Sequence, residues 1–221
     1  FEQVCIAILR KTFEKFAIKF VDLSKLKTER DILNLQREIK IGSSLRHKNI
    51  VRTFGYIANI PNKVGIVMEY VEGGELYELL DNMGVMSEKE SYNIFKQVLS
   101  AIVHCHSKSV VHRDIKLENI LYTKDYKVKL ADFGLSHEAD ETMRSRCGTK
   151  YYCAPEVLSG NCYSESCDVW SLGIMLFALS HGFLPFDHDN DLTLMQSICL
   201  GTYKFPPFIS QELRQLIAAM L

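Results

Sequence analysis

Val111-His112-Arg113-Asp114-Ile115-Lys116-Leu117-Glu118-Asn119, with Ala131-Asp132-Phe133-Gly134 shortly downstream, constrains this chain more than any other stretch. It places a carboxylate, an ammonium and a carboxamide in one short loop, and then a second carboxylate beside a glycine. One carboxylate can orient an attacking hydroxyl, and a cation can offset charge on a moving phosphoryl group. An amide and the other carboxylate offer the hard oxygens that Mg²⁺ takes. Each polar residue alone reads as a surface group. In this order they form the set that phosphoryl transfer from a nucleotide requires.

H-R-D-x-K-x-x-N followed by D-F-G resembles the catalytic core of protein kinases, and other stretches follow in that family's order. Phe16-Ala17-Ile18-Lys19 resembles the V-A-I-K strand, and Glu38 stands where the lysine's partner glutamate would be. Met68-Glu69-Tyr70-Val71 resembles the gatekeeper and hinge. Ala154-Pro155-Glu156 resembles the close of the activation segment, and Asp168 to Gly173 the start of the helix anchoring the large lobe. The likeness runs along nearly the whole chain. It implies an α+β, bilobal kinase fold with a small β-rich N-lobe over 1–68, a hinge over 69–74 and a helical C-lobe over 75–221. Both ends are shortened relative to the family.

A chain of 221 residues can bury a substantial core. Lysine and arginine total 26 against 27 acidic residues, which argues against a nucleic-acid protein held by bulk electrostatics. Seven cysteines without a C-x-x-C pair, and no signal peptide, suit reduced thiols in a cytoplasmic or nuclear protein. The apolar run Val169 to Leu179 is too short to span a bilayer. A helix buried on all sides explains it, and no membrane partner is expected.

Val4 to Leu9 and Phe16 to Val21 read as a two-stranded hairpin. From Thr28 to Leu45 the period is helical, with Ile32, Leu35, Ile39, Gly42 and Leu45 on one stripe. Thr28 is the expected N-cap. Ile50 to Phe54 and Gly65 to Glu69 read as further strands. Ser87-Glu88-Lys89-Glu90 is a capping box opening a helix that carries Phe95, Val98, Leu99, Ile102 and Cys105 at helical spacing.

The family resemblance implies a role for each site residue. Asp114 would accept the substrate hydroxyl's hydrogen bond and Lys116 would bridge it to the γ-phosphate, a serine/threonine-kinase feature. Asn119 and Asp132 would hold Mg²⁺. Lys19, fixed by Glu38, would anchor the α- and β-phosphates of ATP. Val4 and Ala17 would roof the adenine and Leu121 would lie beneath it. Met68 would limit pocket depth, and the backbones of Glu69 and Val71 would bond the base. Glu75 would contact the ribose or a basic substrate residue, and Glu118 would attract a basic residue. Thr149 would support Asp114 and Lys116.

The stretch from Cys147 to Glu156 resembles the calcium/calmodulin-dependent group, especially relatives of the AMP-activated kinase. Ser145 then falls at the usual activating phosphosite, with Thr142 as the alternative, and its phosphate would pair with Arg113. A protein substrate and an upstream activating kinase are the implied partners; no regulatory subunit is specified.

Three departures from the family pattern stand out. Most of the glycine-rich loop is missing, and Glu2 replaces its last glycine. Gly42 and Thr53 stand where apolar residues usually back Phe133 and His112. The arginine that normally pairs with Glu156 is absent. An active serine/threonine kinase is the first expectation, and a nucleotide-binding scaffold without catalysis is the alternative.

Overall fold

The computed structural model describes residues 2–138 and 148–221. β1 (Glu2–Ile8) and β2 (Lys15–Asp22) form the expected antiparallel hairpin, with Val4 opposite Lys19 and Ile6 opposite Ala17. β3 (Thr53–Ile60) and β4 (Lys63–Glu69) complete a four-stranded sheet in the order β1-β2-β4-β3. β3 begins later than Ile50, contrary to the sequence expectation. Ile50 bridges to Leu130, and the backbone of Asn49 and Val51 bonds Leu130 on both sides. That apolar segment is recruited by the other lobe, and the sheet takes the polar-interrupted stretch after it.

Between β2 and β3 runs α1 (Glu29–Ser44). The Thr28 hydroxyl accepts from the Asp31 amide at 3.2 Å, and the Asp31 carboxylate accepts from the Thr28 amide at 2.9 Å. Such a cap is worth ~1 kcal/mol. The apolar stripe is displaced from its expected line. Ile32 is 48% exposed, and the residues in the core are Ile41, Gly42 and Leu45. The helix packs on the sheet near its C-terminus, while Ile32, Leu35 and Ile39 line an outer groove with Tyr56 and Val64.

The second lobe begins with α2 (Leu76–Met83) and α3 (Glu88–His106), the latter opened by the Ser87–Glu90 box. Short strands follow: β5 (Val110–Val111), β6 (Ile120–Tyr122), β7 (Val128–Leu130) and β8 (His137–Glu138). β6 pairs with β7 and β5 with β8. α4 (Pro155–Leu158), α5 (Ser166–His181), α6 (Asp191–Leu200) and α7 (Gln211–Ala218) complete the fold. α5 is buried along nearly its whole circumference, Val169 being its exposed apolar residue. An all-apolar helix has no face to give to water, so the other elements pack around it.

The lobes meet at 69–74. Gly73 donates to the Tyr122 carbonyl at 2.9 Å, and Tyr122 donates to the Gly74 carbonyl at 3.0 Å. A Cβ at Gly73 would lie 2.2 Å from that carbonyl oxygen, so only glycine allows this approach. One core cluster runs from Ile41, Leu45 and Ile50 through Leu130 and Phe133 to α3 and α5.

Two histidines are packed in neutral form. His181 stacks on Phe177 at 3.8 Å, Nδ1 donates to the Phe177 carbonyl at 2.8 Å, and buried Nε2 has no partner among the described residues. His47 Nδ1 accepts from the Asn49 amide, and its ring stacks on His104. Burial pushes both below the ordinary histidine value of 6.5. The unfolded chain therefore takes protons that the folded chain refuses, so stability is full above 6.5 and falls as pH drops below it. Urea unfolding should show a lower midpoint at about pH 5.5 than at about pH 7.5, with a smaller loss in His181→Phe. An equal loss in both proteins would place the effect elsewhere.

Candidate active site

The loop after β5 hangs from Asp168, which is 0% exposed at the start of α5. Its Oδ2 accepts from the His112 amide at 2.9 Å and its Oδ1 from the Arg113 amide at 2.8 Å. His106 Nε2 lies 2.8 Å from Oδ2. These bonds hold Arg113 at φ 68, a left-handed conformation costing ~1–3 kcal/mol outside glycine. Asp132 also has a left-handed backbone, at φ 59. The His112 ring meets Phe133 edge-on at 4.9 Å, and both are buried.

Asp114 is fixed through both oxygens. Oδ1 accepts from the Thr149 amide at 3.1 Å and the Thr149 hydroxyl at 3.3 Å. Oδ2 accepts from Asn119 Nδ2 at 2.9 Å and lies 3.2 Å from Lys116 Nζ. Lys116 also donates to the Thr149 hydroxyl at 3.0 Å. Thr149 comes from the far side of the segment running from Asp132 to Glu156, so it closes the cluster from outside the loop.

Across the cleft, Lys19 Nζ on β2 lies 2.8 Å from Glu38 Oε1 on α1 and 3.1 Å from Asp132 Oδ1. The cation is buried between two carboxylates from different lobes. Burial works to raise the Asp132 carboxyl, but Lys19 and the Gly134 amide outweigh it and hold Asp132 below the usual range. The carboxylate is therefore an anion at neutral pH. Its Oδ2 accepts no hydrogen bond among the described residues. Asn119 Nδ2 is committed to the carbonyl and carboxylate of Asp114, which leaves its amide oxygen as the other donor. Two hard oxygens beside an excess of negative charge suit Mg²⁺.

A cavity of about 310 Å³ runs from the hinge inward. It is lined by Val4, Ala17, Lys19, Met68, Glu69, Glu75, Glu118 and Leu121, all singled out from sequence. Val71 is absent from the lining and its side chain is buried. Gly42 and Thr53, noted from sequence only as breaks in the hydrophobic column, also line it, and three lining residues escaped sequence reasoning as site residues: Val51, Ile66 and Ala131. They read as ordinary core, and no local pattern marks them. A neighbouring cavity of about 360 Å³ brings Asp114, Asp132, Lys19 and Glu38 together with Asp31 and Asn34 of α1.

At the cavity mouth Glu75, Glu78 and Glu118 form an acidic group. Burial, then repulsion from Glu78 and Glu118, pushes the Glu75 carboxyl above its ordinary value. Glu118 Oε2 is buried with no partner among the described residues. The backbone of Glu2 pairs with Val21. Glu156 Oε1 accepts from the Ser166 hydroxyl at 3.3 Å. Ser145 and Thr142 lie outside the described residues.

Comparison with known proteins agrees with this geometry. The protein kinase domain family matches residues 1–221. Over 100% of its length the chain is 39% identical to the SNF1-related protein kinase catalytic subunit alpha KIN12 of Arabidopsis thaliana, covering 45% of that protein. It is 40% identical to CBL-interacting serine/threonine-protein kinase 24 of the same plant, over 100% of the chain and 50% of the relative. With NUAK family SNF1-like kinase 2 of Homo sapiens, 86% of the chain aligns at 40% identity, covering 31% of that protein. The chain spans about half the length of the first two relatives. It belongs to the protein kinase domain family.

Proposed function

We propose that this chain transfers the γ-phosphoryl group of ATP to a serine or threonine hydroxyl of a protein. The observation that carries this is the closed cluster of Asp114, Lys116, Asn119 and Thr149, facing Asp132 and the Lys19–Glu38 pair across one cleft. Asp114, held by four donor atoms, has the fixed carboxylate that a positioned base needs. Lys116, 3.2 Å from Asp114 and 3.0 Å from the Thr149 hydroxyl, would meet the γ-phosphate beside them. Mg²⁺, held by Asn119 and Asp132, would supply charge neutralisation of the phosphates. Lys19 would meet the α- and β-phosphates, while Val4, Ala17, Met68 and Leu121 enclose the base.

Asp114→Asn should lower kcat by about 10²-fold or more with Kd for nucleotide little changed, because geometry survives and the proton acceptor does not. Equal phosphate transfer by both proteins to a generic serine peptide would favour the scaffold alternative instead.

Substrates carrying arginine or lysine near the phosphorylated residue fit the acidic group best. A buried Glu118 oxygen without a partner among the described residues, and a Glu75 carboxyl raised by burial and then by like charge, would both be relieved by a cation. The paired change Glu75→Gln and Glu118→Gln should raise KM for a basic peptide by about tenfold, roughly 1.4 kcal/mol, with much less effect on a neutral one. A matching loss on both peptides would remove the acids from substrate choice.

Activation by phosphorylation of Ser145 completes the proposal. Arg113 donates to the Leu135 carbonyl at 2.6 Å and to the Tyr163 hydroxyl at 3.0 Å, and a phosphate on Ser145 would offer that guanidinium another acceptor. A doubly charged phosphate is a stronger acceptor than either oxygen. Ser145→Ala should abolish stimulation by an upstream kinase; full stimulation of that variant would discard Ser145 as the switch. A cytoplasmic location goes with this role.

A further inference from the structure

The loop joining β1 to β2 puts a large apolar side chain where neither backbone nor packing favours one. Leu9 and Glu14 close the loop: the Leu9 amide donates to the Glu14 carbonyl at 2.9 Å, and the Phe13 amide to the Leu9 carbonyl at 2.8 Å. Phe13 sits at φ 60, in the left-handed region that suits glycine. It is also 79% exposed. Tyr126, another aromatic residue with a left-handed backbone, stacks on Tyr122. Phe13 stacks on no ring among the described residues. An outlier kept without packing in return points to a use outside the fold.

The surroundings of Phe13 are of one kind. Ile8 and Leu9 are exposed beside it. Arg10 and Lys11 on the loop, and Lys15 at the head of β2, are exposed as well. Against these three cations stands one acid, Glu14, whose carboxylate accepts from the Thr12 hydroxyl at 2.9 Å. Lys15 Nζ lies over the Tyr70 ring, whereas Arg10 and Lys11 have no ion pair among the described residues. An apolar tip flanked by cations matches the interface of an anionic bilayer. The ring leaves water at the acyl boundary, the cations meet the headgroups, and their alkyl stems lie along the apolar surface. A protein partner would need a pocket shaped to Phe13, and a fluid bilayer needs none.

We propose that the β1–β2 loop is a peripheral membrane anchor, in which Leu9 and Phe13 enter the interface of an anionic bilayer and Arg10, Lys11 and Lys15 bind its headgroups. No helix among the described residues is long and apolar enough to cross a membrane. The sequence expectation of no membrane partner rested on the lack of a span, which a surface-held loop does not require. The loop lies at the hinge end of the sheet, where Phe16 pairs with Glu69, and none of its residues lines the site cavity. The contact is therefore separate from the catalytic groups and does not rest on the kinase activity proposed above.

The test is cosedimentation of the chain with vesicles of phosphatidylcholine alone, and with about 30% phosphatidylserine added. Wild type should partition onto the anionic vesicles about tenfold more strongly than onto neutral ones, and the difference should shrink as salt rises. Phe13→Gly removes the ring and suits the backbone, so it should fold as wild type and partition about fivefold more weakly. Arg10→Gln combined with Lys11→Gln should lose about tenfold. In Phe13→Trp the fluorescence emission should shift to the blue on anionic vesicles, with the buried Trp170 as a constant background. Equal partitioning of wild type and Phe13→Gly overturns the anchor, and so does an emission that anionic vesicles leave unmoved. A wild type that ignores both kinds of vesicle also overturns it, and leaves the tip to an acidic protein partner.

Discussion

The buried carboxylate of Asp168 is the interaction on which the site depends. It sits at the head of a helix enclosed by protein and spends both oxygens on consecutive backbone amides. Charge-assisted bonds of this kind are worth ~1.5–3 kcal/mol each, enough to offset the left-handed backbone at Arg113. Those amides begin the loop carrying Asp114, Lys116 and Asn119. The large lobe's packing thus sets the orientation of the reacting groups, because α5 cannot rotate without breaking its own burial. Asp168 needs a compensating partner to be stable there, and His106 supplies a third contact.

A second constraint is charge. Lys19 is 5% exposed and shared by Glu38 and Asp132, so one cation answers two anions. Removing the lysine would leave two carboxylates facing one another in a low-dielectric cleft. Keeping it places a cation between them, beside a carboxylate oxygen of Asp132 and the amide oxygen of Asn119. Hard oxygens of this kind would draw a divalent cation, and the cation in turn would draw a polyphosphate.

The catalytic loop was legible in sequence because its chemistry is contiguous: the loop's bonds between Asp114, Lys116 and Asn119 join residues a few positions apart. Capping at Thr28 and Ser87 was legible for the same reason. What escaped was set by neighbours distant in the chain. Ile50 has a strand's composition, yet Leu130 takes it into another lobe. Ile32 keeps helical spacing, yet it lines an outer groove with Tyr56 and Val64 and stays exposed. Gly42 reads as a gap in a hydrophobic column until Thr53 is seen to occupy that gap. Val51 and Ile66 line the cavity with side chains indistinguishable from core, since an adenine pocket is a core with one member removed.

The recruited segment also bears on how the lobes move. Asn49 Nδ2 donates to the Val128 carbonyl at 2.8 Å, and the backbone of Asn49 and Val51 brackets Leu130. Lys129 reaches back to Glu69 at 3.0 Å and to the Lys48 carbonyl at 3.0 Å. The link between α1 and β3 is therefore a piece of the N-lobe sequence fastened to the C-lobe, directly behind the hinge. The C-terminal end of α1 is thereby fixed beside this attachment, and its N-terminal end lies farthest from it. Glu38 lies nearer the fixed end, with Gly42 between it and the anchor. The Lys19–Glu38 pair thus joins a strand of the sheet to a helix whose C-terminal end is fastened to the other lobe.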